Sequence, residues 1–208
     1  MINKKETISI VAVIVVLAIS ISLFEIKKLF LPTLLAIAII VILNVLFKKL
    51  MSYYLDLKTH IKMWEIRQWG YKNIFRFKKP VNLGLTFPII LKVISVGYIN
   101  FTASLTYDVE STIYRAAKKH WLYGFSEVSE AQIGAIAAAG IIANLIGALV
   151  GYLIGFPYFA RLSLSFAFWN LIPLSALDGN KIFFGSKLLW VTLMLITLVG
   201  LALSIFVV

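Results

Sequence analysis

Asp178 is the last carboxylate in the chain, and it closes the stretch Asn170-Leu171-Ile172-Pro173-Leu174-Ser175-Ala176-Leu177-Asp178-Gly179. Apolar runs lie on both sides. An ionisable group at the end of such a run is costly in a bilayer and is a functional-site candidate by default. A carboxylate there can complete a metal site, carry a proton, or neutralise a buried cation. The rest of the chain narrows the choice. There is no cysteine, so disulfides and thiolate metal sites are excluded, and the only imidazoles are His60 and His120. A catalytic zinc needs three protein ligands and an open position.

The elements that position Asp178 are apolar. Of 208 residues, 61% are hydrophobic, and the mean hydropathy is +0.95. That places the chain in a bilayer as a single membrane domain over 1–208. The net charge of +11 fits basic loops flanking membrane spans. No basic run is interleaved with a nucleic-acid reading module, so no nucleic acid is expected as a partner.

Spans are predicted over Ile8–Phe24, Leu29–Phe47, Ala131–Leu153, Tyr158–Leu174 and Leu188–Phe206. The first reads as an uncleaved anchor, with a connection to residue 28. A core follows over 29–185, and the last span over 186–208. Pro32 falls in the first turn of the second span, where its missing donor costs little. Met51, Tyr54, Leu55, Met63, Trp64 and Ile66 fall roughly at helical spacing, predicting a helix over 50–69 that stops at Gly70. Ile74 to Phe77 alternates like a short strand, and a helix is expected from Tyr114 to Trp121.

Residues 81–105 are apolar but broken by Asn82, Gly84, Pro88, Lys92, Gly97, Asn100 and Thr102. Irregular backbone at membrane depth must be buried in protein, so a re-entrant segment is expected. The fold class is therefore an all-α polytopic membrane protein with about five transmembrane helices and a re-entrant or short β element. If 81–105 does not cross, 17 of the 20 Lys and Arg share the side of Asp178. That asymmetry puts the Asp178 side in the cytoplasm of a cell-membrane protein. In the third predicted span, Ala135, Ala139, Ala143, Gly147, Gly151 and Gly155 recur every fourth residue, a ridge of small side chains suited to close helix packing in lipid.

Three segments carry a family resemblance. The order Asn-x-x-Pro-x-x-x-Leu-Asp-Gly, with Asn170, Pro173, Asp178 and Gly179, resembles the third-ligand motif of the site-2 protease (M50) family of intramembrane zinc metalloproteases. Ala138-Ala139-Gly140-Ile141-Ile142-Ala143-Asn144-Leu145 is similar to that family's Ala-Gly-Pro-x-x-Asn segment without its Pro. Lys58-Thr59-His60-Ile61-Lys62, ahead of Trp69-Gly70, lies where the spacing puts the family's His-Glu-x-x-His helix. On that alignment Lys58 and Lys62 replace the zinc histidines and Thr59 the general-base Glu. The resemblance implies a site-2-protease-like core.

The departure decides the chemistry. Two histidines at i and i+4 share one helical face with the Glu beside the metal-bound water. Two ammonium groups and a hydroxyl cannot hold zinc, and His60 has no second imidazole at i+4. The expectation is a non-enzyme with no metal and no cofactor. Losing zinc leaves a buried carboxylate uncompensated, which costs several kcal/mol. A lysine from this segment, Lys62 before Lys58, is expected to neutralise Asp178. Asn170 is expected to cap the broken backbone around Pro173.

Other chemistries find less support. Tyr107-Asp108 lacks the Gly-x-Gly-Asp partner of aspartyl intramembrane proteases, and no nucleophile elbow, phosphate loop or dinucleotide fingerprint occurs. The sequence thus predicts a pseudoprotease that binds another integral membrane protein, as accessory subunit or helix-binding chaperone. The alternative is a transport or proton-relay component using Asp178. An active metalloprotease is the weakest reading.

Overall fold

The computed structural model describes residues 3–23, 26–68, 76–112 and 128–207. Among them are seven helices: α1 (Lys4–Ser22), α2 (Ile26–Tyr54), α3 (Leu83–Ile94), α4 (Glu130–Leu153), α5 (Pro157–Leu171), α6 (Asp178–Gly185) and α7 (Lys187–Val207). Four strands accompany them: β1 (Leu57–Met63), β2 (Glu65–Gln68), β3 (Arg76–Asn82) and β4 (Leu105–Ser111). Four helices, α1, α2, α4 and α7, are long and apolar enough to cross a membrane. The remaining expected span, Tyr158–Leu174, corresponds to α5, which has only 15 residues, about 22 Å at 1.5 Å per residue. Pro32 sits inside α2 rather than in its first turn, because the helix begins at Ile26.

The helices run back and forth between two ends. Glu6 of α1 meets Lys49 of α2 at 2.9 Å, and Tyr158 of α5 meets Thr33 of α2 at 2.5 Å. The start of α1 and the end of α2 therefore share one end, and the start of α5 lies at the other. Val13, Leu17, Ile37, Ile40, Ile136, Ile141, Phe166 and Leu171 join in one buried core, while Ile8, Leu31, Leu149 and Leu195 face outward. Apolar residues on both faces are what a helix between protein and lipid requires.

The helix expected over 50–69 continues from α2 only as far as Tyr54. Asp56 adopts a left-handed φ of 56° and its N–H bonds Tyr53 O at 3.1 Å, ending α2. The chain then runs as β1, antiparallel to β4 in a register from Leu57↔Ser111 to Met63↔Leu105. Leu57, Thr59 and Ile61 are buried; Lys58, His60 and Lys62 are exposed. Strict alternation is the strand signature, and it wins over the looser helical spacing of the larger apolar residues. A second two-stranded sheet pairs β2 with β3, Glu65↔Asn82 to Gln68↔Arg76. Ile74, Phe75 and the expected 114–121 helix lie outside the described residues.

Residues 83–104 leave Trp64 and return to it. Gly84 N bonds Trp64 O, and Trp64 N bonds Ser104 O, both at 2.9 Å. Between these points α3 packs beside α1, where Ser20 Oγ donates to Pro88 O at 2.9 Å. The returning residues Phe101 to Ser104 are fully buried. Phe101 stacks among Trp64, Phe87 and Trp169 with ring centroids 4.8–6.1 Å apart. Phe101 to Ser104 are thus covered by protein, but the bend before them is not: Val96 and Tyr98 are exposed, so the expected burial holds only for the returning end of the segment.

The small-residue ridge of α4 is only partly a packing face. Ala143 is buried, and Gly151 lies so close to Phe159 that a Cβ would meet its ring at 2.5 Å. Gly147 faces Leu43, and Ala135 and Ala139 are half-buried. Gly155 packs against nothing within 4 Å. It has a φ of 86° and ends α4, with Phe156 N bonding Gly151 O at 2.8 Å, a glycine helix stop. Other close approaches on α4 lie off the ridge, at Gly134 against Lys181 O and Gly185 of α6, and at Gly140 against Asn44 and Lys48 of α2. A four-residue repeat drifts about 40° around the helix per step, so six positions cannot all face one neighbour.

Candidate functional site

Asp178 is presented by a break between helices. α5 ends at Leu171, Ile172 is extended, and Ser175 has a φ of 47°. The turn is held by Leu174 N to Ile172 O at 2.8 Å and Leu177 N to Leu174 O at 3.0 Å. α6 then restarts with Asp178 in its first turn, where a negative charge suits the helix dipole. A Cβ on Gly179 would lie 2.1 Å from Leu171 O; only glycine lets α6 begin this close to the end of α5. Trp190 Nε1 donates to Leu171 O at 2.8 Å, and Asn180 Nδ2 to Ser175 O at 2.6 Å. Asn170 is buried and donates to Phe166 O at 2.8 Å, one turn back within α5 rather than to the broken backbone around Pro173 where a cap was expected. Pro173 is exposed in the turn.

The partner of Asp178 is Lys48, near the end of α2. Its Nζ lies 2.5 Å from Asp178 Oδ2, with the side chains 2% and 0% exposed. Gly140 makes room for it: a Cβ there would be 2.8 Å from both Lys48 Cε and Asn44 Nδ2. Asn44 and Lys48 are thus one turn apart on the same face of α2. Asp178 Oδ1, Asn44 Nδ2 and both amide atoms of Asn144, one turn beyond Gly140, are buried with no hydrogen-bond partner.

The β1–β4 sheet roofs the pair. Tyr107 of β4 is buried, its hydroxyl donating to Ile133 O at 2.6 Å, and Lys48 Nζ is 5.3 Å from its ring centroid. Lys181 of α6 places its Nζ 3.5 Å from the same centroid. That ammonium donates to Thr106 Oγ1 at 3.1 Å and to the Tyr107 carbonyl. Thr106 Oγ1 in turn donates to Ala176 O at 2.5 Å, tying β4 to the turn before Asp178. Burial pulls the Lys181 ammonium down to about 8; the Asp178 charge opposes that fall and Lys48 adds to it. Burial and then the Asp178 charge push the Tyr107 phenol up.

The structure corrects the residues expected to neutralise Asp178. Lys58, Thr59 and Lys62 belong to β1, not to a helix. Lys62 lies 2.5 Å from Asp108 on the outer face of the sheet, and His60 is 3.5 Å from Glu110. Lys58 is exposed beside them, and Thr59 is buried on the opposite face. Asp108 is an exposed residue of β4. His120 lies outside the described residues. A signal for the true partner was present: Asn44 is the one amide within the apolar run ending at Phe47, and Lys48 follows at i+4.

Among the described residues no three His, Cys, Asp or Glu side chains gather as a metal-ion site. What gathers is an ammonium on a carboxylate, with an amide beside it. No family model matches the chain, and no curated protein or solved structure matches it.

Proposed function

We propose that this protein is an integral membrane protein with a site-2-protease-like core in which an ion pair stands where the family holds zinc. It is not a protease. Its role is to bind another membrane protein, as accessory subunit or helix-binding chaperone. The observation that carries this reading is the pairing of α2 with Asp178. Asn44 and Lys48 have the i, i+4 spacing and shared face of a His-Glu-x-x-His pair, and Lys48 reaches the third-ligand carboxylate. Val45 stands where the general-base Glu would follow. Gly140 of the second resembling segment packs on this pair. The resemblance is therefore better carried by α2 than by the Lys58–Lys62 segment.

A binding role draws support from an apolar groove of about 500 Å³ between α4, α5 and α7, lined by residues that include Leu149, Tyr152, Leu164, Ile196 and Leu203. The excess of Lys and Arg in the segments on the Asp178 side of the chain supports a cytoplasmic location for that end. Mass spectrometry of material co-purified from native membranes in mild detergent tests the proposal. A membrane partner at about one per chain is expected. Purification of the chain alone defeats the accessory-subunit role.

A proton-relay role is the second reading, favoured by Lys181, whose ammonium is held near 8 within the field of Asp178. Proton flux through liposomes containing the protein, lost in Asp178→Asn, would replace the first reading with this one.

A further inference from the structure

A second polar cluster lies at the opposite end from Asp178. A cleft of about 320 Å³ is lined by Ile21 of α1, Asn100 of the returning 95–104 segment, and Tyr158, Arg161, Leu162 and Ser165 of α5. Among the described residues no carboxylate lines it. Arg161 is exposed and makes no ion pair among the described residues. Ser165 follows at i+4, on the same face of α5.

Asn100 is oriented by its neighbour. Buried Lys92 donates its ammonium to Asn100 Oδ1 at 2.5 Å and to Gly97 O at 2.8 Å. A lysine ammonium can only donate, so the Asn100 oxygen must face Lys92 and the amide N–H groups are left as donors. The Tyr158 hydroxyl is held by Thr33 at 2.5 Å, fixing its ring in the cleft wall. Among the described residues the cleft therefore combines a guanidinium without an ion-pair partner, amide donors and a hydroxyl. Arg161 also lies in the second turn of α5, near the positive end of that helix.

The geometry points to a binding site for a phosphate oxyanion, supplied by a phospholipid headgroup. A guanidinium fork matches two phosphate oxygens at once, and Ser165 and Asn100 supply further donors. Ile21 and Leu162 give apolar walls for the glycerol and first acyl carbons. Headgroups lie at the depth to which an arginine near a helix end extends. The site rests on the membrane reading of the chain and is independent of the role assigned to Lys48 and Asp178.

Native mass spectrometry of the full chain, stripped of lipid in detergent and titrated with phosphatidylglycerol, tests the site. Arg161→Ala is expected to weaken the retained lipid adduct about tenfold or more, with Arg161→Lys in between. Asn100→Asp serves as a second variant. It offers Lys92 a carboxylate, so folding is retained, while a negative charge in the cleft repels phosphate. Inorganic phosphate at millimolar concentration should displace part of the lipid if the headgroup carries the binding. Binding of free phosphate as tight as that of the lipid would instead identify a soluble phosphate ligand and overturn the lipid assignment. Equal retention of diacylglycerol, or unchanged lipid binding in both Arg161→Ala and Asn100→Asp, would overturn the site.

Discussion

Lys48 Nζ and Asp178 Oδ2 lie 2.5 Å apart, 130 residues apart in the chain and both sealed from solvent. Each charge is tolerable there because of the other. Lys48→Met should therefore destabilise the protein by about 3–5 kcal/mol, since it leaves a lone buried carboxylate. The double variant Lys48→Met/Asp178→Asn should recover most of that loss. Denaturant titration in detergent reads both; a double variant as unstable as Lys48→Met alone would show that packing rather than charge sets the cost.

The lysines of β1 behave differently. Lys62 pairs with Asp108 where the side chains are 48% and 60% exposed. Exposed pairs contribute about 0–1 kcal/mol. Lys62→Ala and Lys58→Ala should each change stability by less than about 1 kcal/mol. A loss comparable to that of Lys48→Met would mean that Lys62, not Lys48, serves Asp178.

The spacing of Asn44 and Lys48 can be tested by restoring ligands. Asn44→His/Lys48→His would place two imidazoles at i and i+4 against Asp178, three ligands of the type zinc accepts. About one zinc per chain is expected by elemental analysis, and Asp178→Asn in the same background should remove it. Absence of zinc in a folded double variant would count against the proposed kinship of α2 with a metal-binding helix.

Two glycines near the site differ in what they touch. A Cβ on Gly179 meets backbone, Leu171 O at 2.1 Å, whereas one on Gly140 meets the side chains of Lys48 and Asn44 at 2.8 Å. Backbone cannot give way cheaply. Gly179→Ala should cost at least the upper part of the ~1–3 kcal/mol range for overpacking, and Gly140→Ala less. Thermal unfolding of the two variants decides the order.

Lys181 provides a pH dependence. Its ammonium is held at about 8 against an ordinary value of 10.5, chiefly by burial, with Asp178 and Asp108 opposing and Lys48 and Lys62 adding to the fall. Between these values the unfolded chain binds more protons than the folded one, so stability rises with pH. The slope is at most about 1.4 kcal/mol per pH unit. The raised Tyr107 phenol acts in the opposite sense once an unfolded tyrosine ionises near pH 10. The rise is therefore read from about pH 8 to 9.5, and Lys181→Met should flatten it.

The sequence by itself determined the membrane-length helices, the cost attached to Asp178 and the irregular course of residues 95–104. Each follows from local facts: a run of apolar residues, one carboxylate at its edge, and Gly, Pro and Asn that disrupt regular backbone. β1 was also legible, since Leu57 to Met63 alternates at every residue; the wider spacing of Met51, Tyr54 and Leu55 obscured it. Tertiary structure alone decided which lysine meets Asp178. Choosing among basic side chains depends on where α2 stops and on how closely Gly140 lets α4 approach it. The first is set by the turn at Asp56 and the second by packing between segments about a hundred residues apart, and an ion pair leaves no periodic trace in the chain that forms it.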